Sequence, residues 1–146
     1  MKKIYFAGSI RGGRADADLY HRMIVYMQQE LACKVLTEHV GDLSLSQKEG
    51  STPSNLKTGE NVDQAIYLQD TGWLKESDIV IAECTTPSLG VGYELAFAEK
   101  LNKPVHIFYN KRRTRLSAMI AGNSYFLIHP YTTEDEIFPI LNSILP

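Results

Sequence analysis

A chain of 146 residues with 44% apolar and 22% charged side chains has the size and composition of one globular domain with a proper core. Its net charge of −2 argues against a general nucleic-acid binder, so any phosphate must be gripped locally, by loops and helix ends. No apolar run reaches membrane-spanning length, no signal peptide is expected, and Cys33 and Cys84 lack both metal-ligand spacing and a disulfide framework; a reducing compartment, cytoplasm or nucleus, is expected.

In chain order, the apolar run 3–7 predicts a strand. It feeds Gly8-Ser9-Ile10-Arg11-Gly12-Gly13-Arg14, which matches neither the dinucleotide G-x-G-x-x-G pattern nor the P-loop. Its glycines allow close backbone approach, and Ser9 and Arg11 offer a phosphate a hydroxyl and a fixed positive charge. A tight turn with solvated arginines is the plainer alternative. A helix is expected from near Ala15, with Asp16 and Asp18 in its first turn and Tyr20, Ile24, Met27 and Leu31 as its buried stripe. A brief strand over 34–36 leads to Thr37-Glu38-His39, and 40–59, rich in Ser, Gly, Asp and Lys, reads as a long lid or binding loop. The helix predicted over 60–76 has Val62, Ile66, Gln69 and Trp73 down one side. Asp63 and Asp70, seven residues apart, share a face.

The stretch 79–96 organises the rest. Residues 79–82, bounded by a charge at either end, predict a strand buried on both faces of a parallel sheet. A Thr-Thr-Pro-Ser turn, Gly90 and Gly92, and a helix with Leu95, Ala98 and Leu101 on one stripe follow. Strand, glycine loop and helix place backbone N–H groups and a positive dipole end at one spot, which suits an anion. Ser88 and the Gly90 backbone are its candidate contacts. Glu94 stands about one turn inside the helix, where a carboxylate is awkward beside an anion. An acidic residue in a first helical turn is ordinary by itself. A second carboxylate, Asp70, from a neighbouring helix would make a pair, and paired carboxylates are the machinery of glycosidic chemistry.

Strands are expected over 104–108 and 125–129, separated by the basic run 111–115, read as a solvated loop with charge for a neighbour's phosphate site as the lesser alternative, and the short segment 116–121. A last helix over 134–145 buries Ile137, Leu141 and Ile144. Five strands alternating with helices predict a single α/β domain over 1–146, a doubly wound five-stranded parallel sheet of Rossmann or flavodoxin-like form. Ligands bind such sheets at the carboxyl ends of the strands, where strand order reverses, and both glycine loops should meet there. His39 reads first as a structural hydrogen-bonder, Cys84 and Trp73 as core; His21, His106 and His129 form no ligand set.

The segments 5–14, 36–39, Gln69-Asp70 with Trp73-Leu74, 87–95, and 116–120 with Gly122 jointly resemble the 2′-deoxynucleoside 5′-monophosphate N-glycosidases, a branch of the nucleoside 2-deoxyribosyltransferase superfamily. The resemblance covers nearly the whole chain. It implies that Glu94 is the nucleophile, that Asp70 handles protons, and that Tyr5 orients the carboxylate near the sugar. It implies phosphate contacts from Ser9, Arg11, Ser88 and Gly90, with Ser117 supplied by the partner of a homodimer. Ile10, Gly12, His39 and Met119 join the substrate-binding set. Hydrolysis of the N-glycosidic bond of a deoxynucleoside monophosphate is then expected, without metal or organic cofactor, nucleic-acid partner or membrane. The alternatives are a deoxyribosyltransferase, a CMP-type ribonucleotide N-glycosidase, and a non-catalytic mononucleotide-binding module.

Overall fold

The computed structural model describes residues 1–42 and 61–146; beyond residue 42, the loop expected over 40–59 lies outside the described residues. Five strands, β1 (Lys3–Ala7), β2 (Lys34–Val35), β3 (Ile79–Glu83), β4 (Val105–Asn110) and β5 (Leu127–Tyr131), form one all-parallel sheet in the order β2-β1-β3-β4-β5. The doubly wound expectation is met. Helices α1 (Ala17–Gln29) and α5 (Ile137–Ile144) cover one face, and α2 (Val62–Glu76) and α3 (Leu89–Lys100) cover the other. A four-residue helix, α4 (Ala118–Ala121), sits between β4 and β5.

The apolar runs are continuous because both faces of the sheet are covered. In β1, Ile4 and Phe6 pack with Met23, Met27, Ile137 and Leu141, whereas Tyr5 and Ala7 pack with Leu74, Leu95 and Ala98. Each large side chain buried in this way contributes about 1.5–3 kcal/mol. The chain leaves β1 toward β2 on one side and toward β3 on the other, so the order reverses there. The register Tyr5↔Val80 and Ala7↔Ala82 ends both strands level and sets their following loops side by side.

Element boundaries shift for local reasons. Turns closed by Gly13 N–H to Ile10 O and Ala17 N–H to Arg14 O delay α1 to Ala17. Asp16 is therefore the residue before α1, and its side chain does not cap the helix. In α2 the buried residues are Thr71 and Leu74, while Val62, Ile66, Gln69 and Trp73 are half-buried. β4 runs on to Asn110 and β5 to Tyr131, because those two residues are paired. The last helix opens with a 3-10 turn, Glu134–Glu136, closed by a capping box between Thr133 and Glu136. Glu83 does not bound β3 from outside; it is the last residue of β3 and wholly buried. Its cost is offset by hydrogen bonds from Thr85 N–H (3.0 Å), Thr85 Oγ1 (2.7 Å) and the Tyr131 hydroxyl (2.6 Å).

Candidate active site

The two glycine loops touch. A Cβ on Gly12 would stand 2.9 Å from both the Pro87 carbonyl oxygen and Ser9 Oγ, so only glycine lets these loops approach. Gly13 follows with φ +141°, a conformation that L side chains rarely adopt. Ser88 caps α3, its Oγ accepting from Val91 N–H at 3.2 Å. Ser9 is wholly buried, and its Oγ has no hydrogen-bond partner among the described residues. A buried hydroxyl without a partner is costly unless something arrives to satisfy it.

Beside these loops lies a cleft of about 530 Å³. Its walls are Gly8, Ile10, Arg11 and Gly12 from the first loop, Asp63, Ile66, Tyr67 and Asp70 from α2, and Ser88 to Val91 with Glu94 from the second loop and α3. Arg11 pairs with Asp63 across the mouth at 2.9 Å, both side chains largely exposed. At the foot, the Tyr5 hydroxyl donates to Glu94 Oε2. Burial, and then the charges of Glu94 and Asp70, push the Tyr5 phenol far above its ordinary range, so it remains a donor at every accessible pH.

Burial pushes the Glu94 carboxyl up to about 8; the bond from Tyr5 lowers it and the Asp70 charge raises it further. Burial likewise raises Asp70 to about 6, against a lowering hydrogen bond from Gln69. Asp70 Oδ1 is buried without a hydrogen-bond partner among the described residues. Between these two values the pair holds one proton, shared as a coupled system. One ionised and one protonated carboxyl at neutral pH is the arrangement that glycosidic bond cleavage uses.

The structure thus gathers Tyr5, Ser9, Ile10, Arg11, Gly12, Asp70, Ser88, Gly90 and Glu94. Three expected contacts lie elsewhere in the protomer. His39 does not line the cleft; its ring lies 5.6 Å from that of Trp73, and burial, then the Arg14 charge, lowers its pKa. Ser117 caps α4 with its own Oγ, accepting from Met119 N–H at 3.3 Å. Ser117 and Met119 line a second cavity, of about 630 Å³, which shares Gly12, Ser88, Leu89 and Val91 with the cleft. Sequence reasoning overlooked Tyr67 as a wall, although its position one turn before Asp70 on α2 was the available signal. Among the described residues, no group of three or more His, Cys, Asp or Glu is placed to hold a metal ion, and no helix is long and apolar enough to cross a membrane.

The model of the family described as nucleoside 2-deoxyribosyltransferase matches residues 4–137. The chain belongs to that family. Among curated members, a 5-hydroxymethyl-dUMP N-hydrolase of Tetraodon nigroviridis is 46% identical over 95% of this chain and 94% of its own length. A putative 2′-deoxynucleoside 5′-phosphate N-hydrolase of Nematostella vectensis is 47% identical over 92% of this chain and 88% of its own. The same fold recurs in a 2-deoxyribosyltransferase from Bacillus psychrosaccharolyticus, with TM-score 0.65 at 18% identity over 99% of this chain and 96% of that one. It recurs again in a Clostridium botulinum CMP N-glycosidase, with TM-score 0.63 at 15% identity over 97% and 99%.

Proposed function

We propose that this protein hydrolyses the N-glycosidic bond of 2′-deoxynucleoside 5′-monophosphates, releasing free base and 2-deoxyribose 5-phosphate. The observation that carries the reading is the buried Tyr5–Glu94 hydrogen bond beside Asp70, at the foot of a cleft whose rim is two anion-suited loops. The names of relatives more than 40% identical over most of their length favour hydrolysis over transfer.

In the proposed reaction the phosphate sits between Ser9, Arg11, Ser88 and the Gly90 amide, which fixes C1′ against Glu94. Burial places the shared proton of the resting pair on Glu94. In the reactive form it lies on Asp70 instead, and the Glu94 carboxylate attacks C1′ as the C1′–N bond breaks. The bond's electron pair leaves with the base, which takes the proton of Asp70. Water then attacks C1′, gives its proton to Asp70 and releases Glu94. Tyr5 holds the carboxylate in line and donates to it throughout. A deoxysugar suits this route, because no 2′-hydroxyl opposes positive charge at C1′.

Chromatography of a panel of deoxy- and ribonucleoside monophosphates, 5-hydroxymethyl-dUMP included, should show free base from deoxynucleotides only. Deoxynucleosides lacking the phosphate should be orders of magnitude poorer, each lost charge-assisted contact costing about 1.5–3 kcal/mol. Exchange onto added base without net hydrolysis would establish the transferase instead, and binding without turnover a mononucleotide-binding module.

The working unit proposed is a homodimer in which Ser117, with Met119, reaches the neighbouring site. Leu89 and Met119 are 97% and 83% exposed beside an apolar cavity wall of Val91, Leu95, Leu116, Ile120 and Phe126, a surface that a second copy would cover. Mixing Glu94→Ala subunits with subunits disabled at Ser117 should restore part of the activity on exchange. A monomer at working concentration overturns the shared site.

A further inference from the structure

Asp16 stands immediately before α1, where an aspartate ordinarily caps the helix with its own carboxylate. Here the side chain caps nothing. It is 6% exposed and turned across the sheet edge, where Oδ2 accepts from Thr86 Oγ1 at 2.8 Å. Its other oxygen, Oδ1, accepts from Arg113 Nη1 at 2.6 Å. Arg113 belongs to the basic run after β4, half-exposed and four residues before Ser117. Thr86 is two residues before Ser88, the cap of α3 and a wall of the cleft. Three loops that arise from different strands therefore meet on one carboxylate.

From this geometry we infer that Arg113 and Asp16 are positioning residues for the phosphate subsite: Asp16 fixes the 86–88 loop through Thr86, and Arg113 cancels the charge that Asp16 would otherwise bury behind it. The inference rests on the phosphate reading given above. A buried carboxylate is tolerable when paired, and its partner's removal leaves an uncompensated negative charge. That charge would lie behind the loops meant to hold a dianion, so binding of the phosphate should suffer more than bond cleavage. Wholly buried Glu83 also lies within electrostatic reach of Arg113. In contrast, a purely structural tie would be damaged by breaking either partner and would not be mended by breaking both.

The test compares wild type, Arg113→Gln, Asp16→Asn and the double variant, with two readouts. In the first, KM and kcat are measured on a deoxynucleoside monophosphate that the wild type cleaves. Arg113→Gln should raise KM about tenfold while kcat changes less than about threefold. Asp16→Asn keeps an acceptor for Thr86, removes the charge and turns its amide NH2 toward the Arg113 guanidinium, so KM should rise less than in Arg113→Gln. The double variant should return to within about threefold of wild type, a coupling that only charge cancellation predicts. In the second readout, inorganic phosphate should raise the melting temperature in the same ranking, independent of turnover.

Equal KM values in all four folded proteins, or a double variant as poor as Arg113→Gln, overturn the inference and leave the proposed reaction standing. A wild type that cleaves no nucleotide, yet shows phosphate shifts that follow Arg113, keeps the inference and overturns hydrolysis. Neither turnover nor a phosphate shift in the wild type overturns both.

Discussion

Glu83 and Glu94 lie at the carboxyl edge of one sheet, one closing β3 and the other on the helix that follows. Both are raised from the ordinary carboxylate range by burial. Around Glu83 every oxygen is engaged: Oε1 accepts from Thr85 N–H, and Oε2 from Thr85 Oγ1 and the Tyr131 hydroxyl. Around Glu94 hydrogen-bonding capacity is left over. Asp70 Oδ1 and Ser9 Oγ have no partner among the described residues, and Gly90 leaves the approach to Glu94 Oε1 clear, since even a Cβ there would stand 4.0 Å away. A saturated carboxylate holds loops together. An unsaturated cluster in a cleft has capacity reserved for a substrate.

The comparison breaks most visibly at Glu94. Glu94→Ala should lower kcat by about three to five orders of magnitude, because it removes the carboxylate proposed to attack C1′. Folding and nucleotide binding should persist, as judged by circular dichroism and titration. Near-normal turnover in a folded variant would end the proposed mechanism.

Next in size is Asp70. Asp70→Asn keeps the volume and loses the proton, so kcat should fall about 10²–10³-fold with little change in dissociation constant. The wild-type pH profile of kcat/KM should be bell-shaped, with limbs at about 6 and about 8, the values to which burial raises the pair. Below the lower limb both carboxyls are protonated and no nucleophile exists. Above the upper one both are ionised and the leaving base finds no acid. A plateau extending to high pH would remove Asp70 from proton transfer.

Glu83→Ala should act in the opposite sense, on stability and not on chemistry. It leaves the Tyr131 hydroxyl and the Thr85 N–H buried without a partner, at a cost of about 2–4 kcal/mol in denaturant titration. Turnover per folded molecule should stay within about threefold, since Glu83 does not line the cleft. A large loss of kcat without loss of stability would erase the distinction drawn between the two carboxylates.

Much of this was legible in the sequence because its signals are local. β-branched runs gave the central strands, and glycines after the first and third strands marked where the backbone approaches a ligand. The shared face of Asp63 and Asp70 followed from helical periodicity, and both do line the cleft. What stayed hidden depends on register and on long-range pairing. Glu83 looked like a charge closing a strand, because burial of its carboxylate is completed by Tyr131, 48 residues away, beside the two bonds from Thr85. Arg113 looked like one of several solvated cations, because its partner lies 97 residues upstream. His106 and His129 stack at 5.2 Å with a nitrogen–nitrogen contact of 2.9 Å because β4 and β5 lie side by side, a pairing with no local signal. The Tyr5–Glu94 bond spans 89 residues and came from resemblance, not from pattern.

The smallest expected effect concerns the stability of Glu94→Gln, and its sign follows from the burial that shifts Glu94. The carboxyl is raised from 4.5 to about 8 in the folded protein. Its contribution to stability is therefore full below the unfolded value and lost as pH rises through the folded one. Gln keeps an acceptor for the Tyr5 hydroxyl and never ionises. Wild type and Glu94→Gln should melt at similar temperatures near pH 5, and the variant should be more stable by a few degrees near pH 9. Asp70 is present in both proteins, so its own titration near 6 largely cancels in the difference. Glu83→Gln serves as the contrast: the amide cannot accept on both sides from Thr85 and Tyr131, so it should melt lower than wild type at neutral pH. A gap between Glu94→Gln and wild type that stays flat from pH 5 to pH 9 would mean that ionising Glu94 costs the fold nothing, and the site would then lack the desolvation on which its proton sharing depends.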